Sequence, residues 1–595
     1  MTGFDALTLE ILWSRLITIV DEMAAILVRT SFSTVVGAAN DFGCEVMDAG
    51  GRSLAHATRS MPVFNRTLPN VTRAVLAKFG RAGLRPGDVF IANDPWLNAG
   101  HHPDLAVMTP FFRDGRLMGI AASIAHVADL GGALDSNTVR EAYEEGLLIP
   151  MTRLYAEGRL NEDVIDFIAA NIRVPEMTIG DIHAQVAANQ AGGEKILALM
   201  EEYELAELAP LASEIQARSE AAMRQAIGGV PDGEYRSRVY MDELDRRLHI
   251  DCRIVVAGEE LTVDFTGSSP QQPRGGINCT WVYSRGQTSY GLKCILLPEV
   301  PSNAGCYRPI HLVAPEGSIL NARHPASVRM RTRTGWYIHH ALFAALAQVL
   351  PERVMAAPGL LPALTVYGSE RDGGKAFHSW FFNGGGMGAG ARSDGVSTCI
   401  YPSSASNVPV ELFEVAVPLV VEEKEFLADS GGPGRQRGGL GLRVSVRLLE
   451  GADGQALVSP WLHGQNEPPF GLNGGGAATT AEILINGRAL GREERLAHSG
   501  AILLEDSSVA VGLYAAGGGG FGPPEEREVA LVQADVRDGL VSLEQAAEVY
   551  GVVLDPVTGA LDEDATRARR QARRIARETA TAADGAHANR QELPS

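Results

Sequence analysis

Cysteine is scarce in this chain. Six residues in 595 (Cys44, Cys252, Cys279, Cys294, Cys306 and Cys399) are scattered, with no CxxC pair. That excludes a disulfide-stapled scaffold, which belongs to short secreted chains, and a thiolate zinc site, which needs close spacing. The expectation is reduced, mostly buried thiols in a cytoplasmic protein. Cations are in deficit as well: 52 Lys and Arg against 72 Asp and Glu leave a net charge of −20. A nucleic-acid groove or an anionic membrane surface needs clustered cations, so neither is expected as the main partner. Long apolar runs are also missing. The most apolar stretch, "TLEILWSRLITIVDEMAAILVRT", is interrupted by Arg15, Asp21, Glu22 and Arg29, well short of the ~20 residues that span a bilayer. It reads as an amphipathic or buried helix. No fixed-period repeat and no GxxxxGK[ST] phosphate loop occurs.

What is present suits a large α+β protein. Hydrophobic residues make up 45% and charged residues 21%, enough to bury a sizeable core. A length prior of ~150 residues per domain allows about four domains, or one large subunit with two or three packed lobes. Residues 1–228 read as an α+β part: a helix over 8–30, strand–turn–strand over 41–57, a helix around 66–80, strands to about 130, and helices over 160–228 with a break at "VPE". Residues 229–530 alternate and are punctuated by Gly and Pro, which predicts a β-rich middle. Residues 531–580 return to helix, and 581–595 have the composition of a disordered tail.

The chemistry gathers in "NDPWLNAGHHPDLAVMTPFFRDGRLMGIAASIAHVADLGG". Asp114-Gly115 between two apolar runs predicts a two-residue hairpin. Paired positions then sum to 229, which sets His126 opposite Pro103 and within reach of His101 and Asp104. In a regular strand, positions three apart point to opposite faces. His101 and Asp104 therefore converge only if Pro103, with its fixed φ and missing donor, bends the chain. Two imidazoles and a carboxylate suit zinc, manganese or iron(II), with coordination positions left open. His102 points elsewhere in this arrangement. The bland alternative, hydrogen-bonded histidines at a strand end, stays open on the residues alone.

The same stretch, followed by "YEEGLLIP", "NIRVPEMTIGDIHAQVAAN", "DFTGSSPQ", "PSNAGCYRPIHLVAPEGSILN", "SGGPGRQRGGLG" and "GGGGFGPPEER", resembles the hydantoinase B/oxoprolinase family. That family includes N-methylhydantoinase B subunits and the large subunits of acetone and acetophenone carboxylases. The resemblance implies that His101, Asp104 and His126 bind a divalent ion, and that Asp41 in "NDFGCEV" is a fourth ligand or a base beside it. The chain departs from the pattern at Gly43, where the family often has serine. It departs again at "TRSMPVFNRTLP", where many relatives carry a histidine–glycine pair, so substrate preference does not transfer. Asp129, three residues past His126, is a candidate catalytic residue that would orient a water or a ligand imidazole; a turn cap is the plain alternative.

The resemblance further implies a hetero-oligomer in which a hydantoinase A-type partner binds ATP and activates a small-molecule substrate. This chain would supply the metal to an amidohydrolase that opens a hydantoin, oxoproline or lactam ring. A ketone carboxylase of the acetone type is the alternative, and a non-catalytic structural role the contrasting one. Other features read more plainly. The glycine runs suggest tight turns and close backbone approach rather than phosphate cradles. Arg435, Arg437, Arg329, Arg331 and Arg333 are candidates for holding an anionic intermediate, although "RMRTR" reads more simply as a solvated or paired face. Cys44 reads as a small core residue, and "RARRQARRIARE" as a helical surface.

Overall fold

Asp5 caps the first helix, its carboxylate accepting from Leu7 and Thr8 N–H, and α1 then runs over Ala6–Thr30. Its apolar stripe (Leu9, Leu12, Leu16, Val20, Met23, Leu27) is buried, as the spacing predicts. The computed structural model describes residues 4–241, 247–369, 376–452, 454–491, 493–494 and 501–588. The architecture is α+β, with four sheets among the described residues.

The first sheet has the order β2-β1-β5-β4-β3-β6-β7, with β1 Phe42–Asp48, β2 Ser53–His56, β3 Val89–Ala92, β4 Asp104–Arg113, β5 Arg116–His126, β6 Thr152–Ala156 and β7 Arg159–Leu160. Beside it lie α2 (Thr34–Gly37), α3 (Leu68–Phe79), α4 (Glu162–Asn171), α5 (Pro175–Glu202) and α6 (Ala209–Gly228). Its central strands are buried on both faces. One face packs Phe42, Cys44, Val46 and Ala121 against α1, α5 and α6. The other carries Met47, Ala106, Met108, Ala122 and Ile124 into a core shared with the rest of the chain.

The middle of the chain builds three smaller sheets. The first joins β8 (Gly233–Met241), β9 (Leu248–Ala257), β10 (Glu260–Asp264) and β11 (Ile310–Val313). The second contains β12 (Ala363–Ser369) and β13 (Ala376–Phe382), followed in chain order by β14 (Leu419–Phe426) and β15 (Leu442–Leu448) of the third. β16 (Gln455–Trp461) pairs with β12. Helices interrupt this β-rich stretch, among them α7 (Trp281–Leu296) and α9 (Tyr337–Leu346), the latter following the single turn α8 (Thr332–Gly335). α7 escapes the periodicity because it is buried almost all round, with Tyr283, Gly286, Gln287, Ser289, Leu292 and Ile295 on every side; no polar face marks it.

The glycine runs form a second kind of core. Segments 384–390, 431–441, 471–476 and 517–522 lie side by side, bonded Gly432 N–H to Gly518 C=O (2.7 Å), Gly518 to Gly439 (2.9 Å), Gly439 to Met387 (2.8 Å) and Gly520 to Gly476 (2.9 Å). The last helix runs over Glu563–Ala588, past the change in composition at 580; residues 589–595 of the expected tail lie outside the described ones. Its arginine run is anchored rather than free, with Arg569 bonded to Glu548 and Arg577 to Glu525 and Glu526.

Candidate metal centre

The Asp114-Gly115 turn forms as its residues dictate, both with positive φ. Register follows the sum of 229 at Arg113–Arg116 and Phe112–Leu117. A bulge between Phe111 and Phe112 then adds one, so His126 pairs with Asp104 rather than with Pro103. Strand β4 begins at Asp104, and His101–Pro103 form the turn ahead of it, which frees His101 from strand alternation. Asp104 shares a face with Ala106 and Met108, and His126 with Ile124 and Ala122, so both look into the shared core. Asp41 enters from the approach to β1: His126 N–H donates to its carbonyl at 3.0 Å. Asn40 turns the chain just before it with φ of 57°. The neighbouring asparagines fix the turn, Asn93 donating to His102 C=O and Asn98 to Asp104 C=O, each at 2.8 Å.

Three ligand-type atoms, one each from His101, Asp104 and His126, lie within 4.8 Å of one another, all buried. His101 Nδ1–H donates to Arg329 C=O at 2.9 Å, which leaves Nε2 with its lone pair. That Nε2 stands 2.9 Å from Asp104 Oδ1 yet makes no hydrogen bond. Two lone pairs at that separation repel unless a cation lies between them, so the donor set fits a divalent ion with one imidazole tautomer already chosen. His126 Nδ1 is 3.2 Å from the same Oδ1 and 3.9 Å from Asp41 Oδ2. Asp41 Oδ1 is buried without a partner.

Electrostatics keep His101 and Asp104 deprotonated. Burial, then the Arg331 cation, push His101 down to about 3. Burial alone would raise Asp104, but His101 and Arg331 outweigh it and hold the carboxylate well below the ordinary range. Asp41 is raised to about 6, chiefly by burial.

Other expected residues fall elsewhere. Asp129 does not face the cluster. Its carboxylate accepts from Arg173 N–H at 2.6 Å and Arg173 Nη1 at 2.7 Å, because the chain leaves β5 at His126 and the next loop is clamped to the segment before α5. His102 turns to Glu145, 3.7 Å away. Cys44 is buried and its thiol is pushed up by burial, the setting of a small core residue. Arg437 pairs with Asp535 and Arg435 bonds to Ala391 C=O, while Arg333 bonds Asn137.

What local reading misses is the place of Arg331 beside Asp104. "RMRTR" is a paired face turned inward: Arg331 is buried, donates to Asp104 Oδ2 at 2.6 Å and to Ala99 C=O, and lies 4.2 Å over the Tyr283 ring. Beside the cluster is a narrow cavity walled by Phe64, Tyr283, Trp336, Trp380, Phe382 and Trp461, with Asp41, His101, His126 and Arg331 at one end. Trp380 meets His126 edge-on at 5.4 Å.

Comparison with known proteins finds relatives along most of the chain. The hydantoinase B/oxoprolinase family model matches residues 5–524, and the chain belongs to that family. It is 30% identical to a Pseudomonas sp. (strain NS671) chain provisionally named as the B component of a D-/L-hydantoinase, over 92% of this chain and 95% of that one. It is likewise 30% identical to the beta chain of the Pseudomonas jessenii caprolactamase, over 96% and 100%. The crystal structure of the ATP-dependent caprolactamase from P. jessenii superposes with a TM-score of 0.85 at 27% identity, covering 96% of this chain and 100% of that one. A nucleotide-free acetone carboxylase superposes with a TM-score of 0.84 at 20% identity, covering 98% and 84%, which establishes a shared fold.

Proposed function

We propose that this chain is the metal-bearing component of an ATP-dependent amidohydrolase that opens a cyclic amide such as a hydantoin, oxoproline or lactam. The observation that carries the reading is the buried convergence of His101, Asp104 and His126 at the end of an aromatic-walled cavity. These three residues would hold a divalent ion (zinc, manganese or iron), leaving a coordination position open. Such an ion polarises an amide carbonyl, activates water and steadies a developing oxyanion.

The chain's own groups do the rest. Arg331 fixes Asp104 through Oδ2 and so orients Oδ1. The aromatic walls exclude bulk water and give a carbon ring apolar contact. Asp41, beside the ligands and near neutrality in its proton affinity, is placed to take a proton from an attacking water. An unstrained amide resists hydrolysis, which makes ATP coupling sensible. With no phosphate loop in its sequence, the chain would rely on a hydantoinase A-type partner for ATP, in a hetero-oligomer. The relatives' names, each denoting one component of a larger enzyme, support this. The caprolactamase relation, at 30% identity over nearly the whole of both chains, favours ring opening over ketone carboxylation.

Elemental analysis of protein purified without chelators tests the site. Wild type and His102→Ala should carry a stoichiometric divalent ion; His101→Ala and His126→Ala should not. A wild-type chain without metal, or an ion retained in both ligand variants, would overturn the reading and leave a structural role.

A further inference from the structure

The wall that closes the cavity has a second side. The 3-10 turn Pro62–Arg66 and helix α7 supply Val63, Phe64, Tyr283 and Gln287 to the cavity. Arg66 ends that turn, and Asn70 and Arg73 follow it at helical spacing on α3. Arg285 and Ser289, one turn apart, belong to α7. Arg66 Nη1 donates to Ser289 Oγ at 2.9 Å, Asn70 Nδ2 to Arg66 C=O at 3.1 Å, and Arg73 Nη2 to Asn70 Oδ1. The Arg66 guanidinium lies 4.8 Å from the Tyr307 ring centroid. Through Asn70 and Ser289 the three arginines are brought together where the Pro62–Arg66 turn packs on α7, Arg73 exposed and the other two half-buried.

None of the three forms an ion pair among the described residues, in a chain where most other arginines have a carboxylate within reach. Arg285 makes no hydrogen bond there either. The carboxyl that acts on Arg73 is Glu45 of β1, fully buried, with neither oxygen hydrogen-bonded. Burial pushes it up to about 8, so at neutral pH it is mostly protonated and offers little counter-charge. Burial first, then repulsion from Arg285, lowers Arg66; burial and Arg73 lower Arg285. Charges packed this way call for an anion from outside.

We propose that Arg66, Arg73 and Arg285, with the Ser289 hydroxyl, form a binding site for a phosphate group. Guanidinium forks match tetrahedral oxyanions in pairs. The half-buried back of the site suits a small ligand better than an acidic protein segment, which would need an exposed stripe. The ligand is either inorganic phosphate or the phosphoryl group of a small molecule; both present the same oxygens. The assignment stands on these residues alone and does not depend on the metal or on ring opening.

The test is calorimetric titration of the full chain with inorganic phosphate in a phosphate-free buffer. Wild type should bind. Arg285→Gln and Arg73→Gln should each weaken binding on the order of ten- to a hundredfold, the worth of one charge-assisted hydrogen bond. His101→Ala should bind as wild type does, which separates this site from the metal centre. Thermal unfolding of each variant confirms that it is folded. Acetyl phosphate run in parallel distinguishes the sources: tighter binding than inorganic phosphate assigns a phosphorylated small molecule, and equal or weaker binding assigns free phosphate. No wild-type binding, unchanged binding in both arginine variants, or binding of polyglutamate alone would overturn the proposal.

Discussion

The hairpin that carries the candidate metal ligands and the glycine bundle solve opposite problems in one chain. At the hairpin, side chains from distant segments must reach a common point: Asp41, His101, His126 and Arg331 span 290 positions of sequence and close on Asp104. In the bundle, side chains must be absent. A Cβ on Gly438 would stand 1.8 Å from Gly518 O, and one on Gly518 1.9 Å from Met387 O. Function at the first place rests on what the residues carry, and the fold at the second on what they lack.

Substitution separates the two. The largest effect is expected at Gly438→Ala, where backbone has to move; a loss above about 4 kcal/mol, read as no soluble protein, fits such a clash. Gly83→Ala is its control, with nothing within 4 Å of the added carbon, and should shift stability by less than about 0.5 kcal/mol. An equal outcome for the two glycines would break the comparison. Arg331→Met comes next. It leaves the buried Asp104 charge without its brace, at a cost of about 3 kcal/mol. Saturating manganese or zinc should restore part of the thermal stability, because an ion that binds only the native state stabilises it.

Gly43→Ser lies between the two regimes. Its Cβ would meet Phe64 Cβ at 3.1 Å and an Ile124 methyl at 3.3 Å, so a serine costs about 1 kcal/mol here. Phe64 walls the cavity, which links Gly43 to its shape: a small residue on β1 makes room for "MPVF". A serine variant as stable as wild type would dissolve that link. Subtlest is Glu45→Gln. With its carboxyl at about 8 against an ordinary 4.5, the native state keeps a proton that the unfolded chain releases. Stability contributed by this group therefore falls as pH rises from about 4.5 through 8. The glutamine variant lacks that slope, so its advantage in denaturant midpoint should grow from pH 5 to pH 8.

The elements that the sequence makes legible are those with local causes. Asp114-Gly115 specifies its turn, the apolar stripe specifies α1, and the turn brings His126 near Asp104 from twenty-two residues away. The one-residue difference in register comes from the bulge at Phe111–Phe112, since either register leaves an apolar residue facing a core. Asp129 escapes local reading because its partner, Arg173, lies beyond the hairpin. The place of Arg331 is hidden because nothing within "RMRTR" says that the segment crosses to the N-terminal sheet. Helix α7 stays hidden for want of a polar face.

The glycine bundle has a consequence for how relatives are read. Segments such as "SGGPGRQRGGLG" and "GGGGFGPP" are demanded by backbone contact alone, so their presence in another chain certifies a shared scaffold and nothing about chemistry. A chain that kept every glycine and replaced His101 and His126 would still be gathered into the same family by such segments. On the proposed reading, His101, His126 and Asp104, three positions among 595, are the ones that would tell a chain able to hold an ion from a look-alike that cannot.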